Sequence, residues 1–194
     1  CGTSLLLSSC AEVPMSERKQ LNIVSDDFLY SKTFPAYENF KSQSKLITGT
    51  KEYNEIVDIG FNIRDAINAY YQVNHKENPT TNFQWEFILV DDDQTKNAWC
   101  MPGGKIAFYT GILPIAKNKD GIASIMGHEV AHAVARHSAE RASTAILADV
   151  GTMALEQLIL GQRLPKAAGY TRQFGLNLPF NRSQESEADY LGLI

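Results

Sequence analysis

No run of apolar residues in this chain approaches the 18 or more that a membrane-spanning helix requires. Cysteine is scarce. The three present, Cys1, Cys10 and Cys100, suggest no disulfide framework, although a Cys10–Cys100 pair stays open. An excess of basic residues is missing as well: 18 Lys and Arg stand against 22 Asp and Glu, for a net charge of −4 and a pI near 5.6. Nothing in that balance favours a nucleic-acid partner. What remains is 44% hydrophobic and 21% charged over 194 residues, enough for one sizeable core.

Histidine is also rare, and its placement is the informative feature. Three of the four fall within ten positions, two of them in His128-Glu129-Val130-Ala131-His132. On an α-helix His128 and His132 lie about 40° apart on one face. Two imidazoles so placed suit one Zn²⁺, and the intervening Glu129 suits a general base. Ile122, Ile125, Met126, Ala133 and Val134 recur at helical spacing around them. A helix through His137 is expected, which turns His137 about 180° from His128 and away from the metal. His75 reads as a loop residue.

Catalytic zinc takes three protein ligands and keeps one position for water. The segment Arg182-Ser-Gln-Glu185-Ser-Glu187-Ala-Asp189 reads as the first turns of another helix, capped by Asn181 or Ser183. Glu185 and Asp189 share a face, whereas Glu187 is rotated about 200° from Glu185. Glu185 is therefore the expected third ligand. Asp189 is expected to orient a ligand histidine through its other ring N–H, and Glu187 to face solvent.

These residues resemble a known family. His128-Glu-Val-Ala-His132 followed by Glu185-x-x-x-Asp189 is similar to the gluzincin metallopeptidases of the HtpX, CAAX prenyl protease and periplasmic BepA- and LoiP-like type. Asn97-Ala98-Trp-Cys-Met-Pro102-Gly103-Gly104-Lys-Ile106 resembles the segment that precedes their active-site helix. The resemblance runs from about Asn54 to the C-terminus. It implies His128, His132 and Glu185 as zinc ligands and Glu129 as base. It also implies an α+β, mainly helical zincin-type domain with a small sheet beside the active-site helix. The missing spans set the chain apart from the multi-spanning members and favour the periplasmic branch. Further helices after Ile194 are implied too, so that a C-terminal element completing the cleft is expected beyond it.

The N-terminus points the same way. Leu5-Leu-Leu7-Ser8-Ser9-Cys10 looks like a lipobox, in which the cysteine is acylated. Residues 1–10 are thus expected to be the remnant of a lipoprotein signal. Residues 11–51 would be a tether with packing segments, interrupted by Pro35, and residues 52–194 the peptidase domain. Ile56, Ile59, Ile63, Ala66, Ile67 and Tyr70 form a helical core stripe, and Asn78-Pro79 marks a turn. Phe83 to Val90 reads as a strand ending at a solvated Asp91-Asp-Asp93 loop. Ala98 to Tyr109 reads as a turn and strand, whose edge around Trp99 to Ile106 either receives an extended substrate or is merely buried. Asn97, Ala98, Gly103 and Gly104 are the candidate substrate contacts there. Ala139–Leu160 reads as a helix, and Gly161–Asn181 as an irregular lid or plain connection.

The expected activity is zinc-dependent endoproteolysis of unfolded or misassembled envelope proteins at the periplasmic side of a bacterial membrane, with Cys10 as lipid anchor. Two other classes share the residues: a metal-binding chaperone or scaffold with an idle site, and a zinc hydrolase of non-peptide amides. The oxyanion donor is open, Arg182 being the nearest cation in sequence.

Overall fold

The computed structural model describes residues 10–16, 18–146 and 181–193. Among them, helices surround a small mixed sheet, an α+β arrangement. Strands β1 (Cys10–Glu12) and β2 (Lys19–Leu21) form an antiparallel pair that opens the chain. Helix α1 (Asp26–Gln43), strand β3 (Leu46–Ile47) and helix α2 (Lys51–Val73) follow. Next come β4 (Glu86–Val90), β5 (Ala98–Met101) and β6 (Lys105–Tyr109). The short α3 (Leu113–Ala116) leads into α4 (Lys119–Val134). Helix α5 begins at 137 and is described to 146, and α6 spans Arg182–Leu191.

The sheet order is β3-β4-β6-β5, with β4 and β6 parallel and the other pairs antiparallel. The β5–β6 connection needs positive φ, which Gly103 (91°) and Gly104 (78°) supply. Their carbonyls extend the β4 pairing by accepting from Gln84 N (2.9 Å) and Glu86 N (3.0 Å). Strand β6 is central, and its Ile106, Ala107 and Phe108 are fully buried. In the four-stranded sheet β5 is an edge strand and contacts α4; Ile106, in the central β6, is not at an edge and fits the buried alternative. The core joins Ile56 and Ile59 of α2, Leu89 of β4, Ile106 and Phe108 of β6, and Ile122, Met126 and Val130 of α4.

Pro35 does not end a helix. It sits inside α1, where its missing N–H forfeits one backbone bond. Burial offsets this: Tyr37 is fully buried and Phe40 packs edge-on against Trp99. Cys100 is a free thiol, so the Cys10–Cys100 pair is absent. The proposed lipobox residues 5–9, the lid Gly161–Asn181 up to residue 180, and the helix expected over Ala139–Leu160 beyond 146 lie outside the described residues. Among the described residues no helix is long and apolar enough to cross a membrane.

Helix α4 is fixed at its start and again where α6 crosses it. Asn118 caps α4 by accepting from Gly121 N at 3.0 Å. At the crossing, α6 meets α4 through glycines: a Cβ on Gly127 would stand 2.8 Å from Gly192 O, and one on Gly192 2.8 Å from His128 N. The backbones touch there, which carries α6 close beside His128.

Candidate metal centre

Helix α4 presents His128 and His132 one turn apart, as its period dictates. Their Nε2 atoms are 3.1 Å apart. Helix α6, held by a reciprocal capping box between Asn181 and Gln184, brings Glu185 to them. Its carboxylate oxygens lie 3.4 Å from His128 Nε2 and 3.8 Å from His132 Nε2. The three donor atoms fall within 4.8 Å of one another.

The far side of each ring decides what the near side does. His128 Nδ1 is 2.8 Å from Asp189 Oδ1, and His132 Nδ1 is 2.8 Å from His137 Nδ1. When both rings carry their proton on the outward Nδ1, both Nε2 atoms turn lone pairs toward one point, next to a carboxylate. Such a set is repulsive on its own and is relieved by a cation. Two imidazoles and one carboxylate are the donor chemistry zinc takes in hydrolytic sites, so the residues fit that metal. His132 is 3% exposed, and burial, then His137, His128 and Arg141, push its pKa down to about 3. It is neutral and ready to ligate.

Glu129 follows His128 on α4, half-buried against β5. Burial pushes its carboxyl up to about 7; His128 opposes the rise and Glu185 adds to it. Asp189 and Glu185 share the α6 face expected from their spacing. Among the candidate substrate contacts, Asn97 is exposed and precedes β5, Ala98 is buried within it, and Gly103 and Gly104 are buried in the turn. Arg182 is exposed at the start of α6.

Two residues depart from the sequence reading. His137 is not turned away from the site: it is fully buried and its Nε2 lies 2.9 Å from Glu187 Oε2. Helical phasing failed because α4 ends at Val134 and Arg136 takes a left-handed conformation, φ 58°. That turn folds His137 back under His132. Glu187 does not face solvent either, being 9% exposed. Its angle from Glu185 was as expected, but that face of α6 is covered. Arg18 Nε donates to Glu187 at 2.9 Å, and Ser16 Oγ donates to the same carboxylate. Burial raises the Glu187 pKa, but the hydrogen bonds from Ser16, His137 and Arg18 outweigh it and hold the carboxyl below its ordinary range. Arg18 also clasps Glu140 of α5 through two bonds of 2.7 and 2.8 Å. Nothing local in the sequence marks Arg18, Glu187 and His137 as neighbours; a non-glycine left-handed turn after His132 carries no signature.

The model of peptidase family M48 matches residues 63–194. A mitochondrial metalloendopeptidase OMA1 of Schizosaccharomyces pombe is 34% identical over 183 residues, covering 94% of this chain and 51% of that protein. The OMA1 of Arabidopsis thaliana is 39% identical over 110 residues, 57% of this chain and 22% of its own length. The β-barrel assembly-enhancing protease of Escherichia coli is 31% identical over 134 residues, 62% of this chain and 26% of its own. The chain thus spans about half the length, or less, of these relatives, two of which are named as mitochondrial and the third of which comes from a bacterium. Motif order, site geometry and the extent of the match agree that the chain belongs to peptidase family M48.

Proposed function

We propose that this chain is the catalytic part of a zinc-dependent endopeptidase. The observation that carries the reading is the convergence of His128 Nε2, His132 Nε2 and the Glu185 carboxylate beside a half-buried Glu129. His128, His132 and Glu185 would hold the metal. Zinc, when bound at such a site, lowers the pKa of a coordinated water to roughly 7 and polarises a carbonyl oxygen. Glu129 would accept a proton from the attacking water and return it to the leaving amine, a role that suits a carboxyl raised by burial. Asp189 keeps His128 in the ligating tautomer. The edge of β5, unpaired among the described strands and lying against α4, is where an extended polypeptide would add as a strand, its backbone pairing beside Glu129. Asn97 and Ala98 lie at the start of that edge, and Gly103 and Gly104 shape the turn that presents it.

The substrates we assign are unfolded or misassembled polypeptides. A strand-edge site reads backbone rather than side chains, and the E. coli relative is named for assisting β-barrel assembly. Placement at a bacterial membrane through an acylated Cys10 rests on the Leu5–Cys10 pattern alone.

Zinc binding and cleavage of an unfolded protein, measured for wild type beside Glu129→Gln, test the reading. Both should bind zinc, and only wild type should cleave. Cleavage by the variant at a wild-type rate removes Glu129 as base. A folded wild type that binds no zinc removes the metal centre. Zinc binding without cleavage by wild type would favour the idle-site scaffold.

A further inference from the structure

We infer that His137 and Glu187 form a buried positioning relay for His132, anchored from the N-terminal segment by Arg18. The inference rests on the metal centre proposed above and adds residues outside its ligand set.

The geometry leaves one consistent order of protons. For His132 Nε2 to offer a lone pair beside Glu185, the His132 proton must sit on Nδ1. That atom is 2.8 Å from His137 Nδ1, which must then accept. A neutral His137 accepting at Nδ1 carries its proton on Nε2, 2.9 Å from Glu187 Oε2, and a carboxylate is the acceptor that fits. Glu187 thereby selects the His137 tautomer, and His137 selects that of His132. His137 is 0% exposed, so water does not substitute for it.

Glu187 is in turn fixed by Arg18 and Ser16, and Arg18 is fixed by Glu140. Glu140 also accepts from Gln184 Nε2 at 2.7 Å, one residue before the ligand Glu185. The relay therefore ties α4, α5 and α6 to one guanidinium. The segment bearing it is seated independently: Val13 packs with Ala131, Ala135, Ala188 and Leu191, and Ser143 Oγ accepts from Ile23 N (3.0 Å) and Val24 N (3.2 Å). Arg18 lies outside the residues matched by the family model. His128 and His132 are thus oriented differently, by an exposed carboxylate and by a buried imidazole–carboxylate pair respectively.

The test compares zinc affinity, by chelator competition on metal-free protein, for wild type, His137→Leu and His137→Asn. Leucine removes the acceptor; asparagine keeps a carbonyl oxygen near the Nδ1 position. His137→Leu should bind zinc roughly 10–100-fold more weakly and shift the cobalt(II) d–d spectrum, whereas His137→Asn recovers most of the affinity. A merely structural role would lower the melting temperature of both and leave the affinity of the folded protein unchanged. A folded His137→Leu that binds zinc like wild type overturns the relay. Should that variant not fold, long-range ¹H–¹⁵N spectra of the wild-type rings decide: His132 should be the Nδ1–H tautomer and His137 the Nε2–H tautomer, and a proton on His137 Nδ1 overturns it. The spectra are taken on zinc-loaded protein, and zinc binding by wild type is measured first, so that a failure of the metal centre is told apart from a failure of the relay.

Discussion

Gly127→Ala sets helix propensity against packing at the point where α6 touches α4. Taken alone, alanine in a helix interior is favoured over glycine by about 0.5–1 kcal/mol. Here the added methyl carbon would stand 2.8 Å from Gly192 O, a backbone atom that has no rotamer to escape into. Restoring an ordinary 3.4 Å contact moves α6 outward by about 0.6 Å, and overpacking of this kind costs about 1–3 kcal/mol. Packing should win by roughly 1 kcal/mol, which for a chain of this size lowers the melting temperature by about 2–4 °C. The larger effect falls on the metal. Glu185 rides on α6 while both histidines ride on α4, and zinc–ligand distances tolerate only about ±0.2 Å. Zinc affinity should fall at least ~10-fold, comparable to losing an orienting partner. The assay is a thermal melt of metal-free protein together with chelator competition, with Ser124→Ala on the exposed side of α4 as the propensity control. A Gly127→Ala protein that melts higher and binds zinc normally would falsify the argument, because propensity would then be acting without a clash.

Three further outcomes are expected. Asp189→Ala should weaken zinc binding about 10-fold, the lower end of the usual range, because the Asp189 side chain is 73% exposed and water partly replaces it; a loss as deep as that of His137→Leu would mean exposure does not set the scale. Glu86 accepts from Lys41 at 2.6 Å and Lys105 at 3.0 Å, and these bonds outweigh burial to hold its carboxyl below the ordinary range. A depressed carboxylate stabilises the fold above its unfolded pKa and loses that effect as pH falls through the folded value. The melting deficit of Glu86→Gln should therefore be full at pH 7 and shrink below about pH 4; a deficit independent of pH would point to packing rather than charge. On the proposal that Cys10 is acylated, Cys10→Ser in the full-length gene should release the protein from membranes into the soluble fraction, and unchanged membrane association refutes acylation at Cys10.

How far the site was legible depended on whether a relation was local. His128 with His132, and Glu185 with Asp189, are each four residues apart, so helix geometry alone put each pair on one face. The Ile56, Ile59, Ile63 stripe exposed α2 for the same reason, and Gly103-Gly104 exposed the β5–β6 turn because only glycine adopts positive φ without strain. Pro35 misled because a local rule, the missing N–H, was outweighed by burial of Tyr37 and the Phe40–Trp99 contact.

By itself the sequence determined which side chains could act as ligands, which as base, and on which helix faces they stand. The tertiary structure alone decided what lies behind those faces. Glu187 was correctly phased away from Glu185, yet only the fold shows that Arg18, 169 positions earlier, covers that side. His137 came to His132 through a left-handed Arg136 with no glycine to announce it. The physical reason is one of range. Periodicity fixes the angle of a side chain about its own helix, within one turn, whereas its surroundings are set by segments distant in sequence that burial and hydrogen bonding bring together.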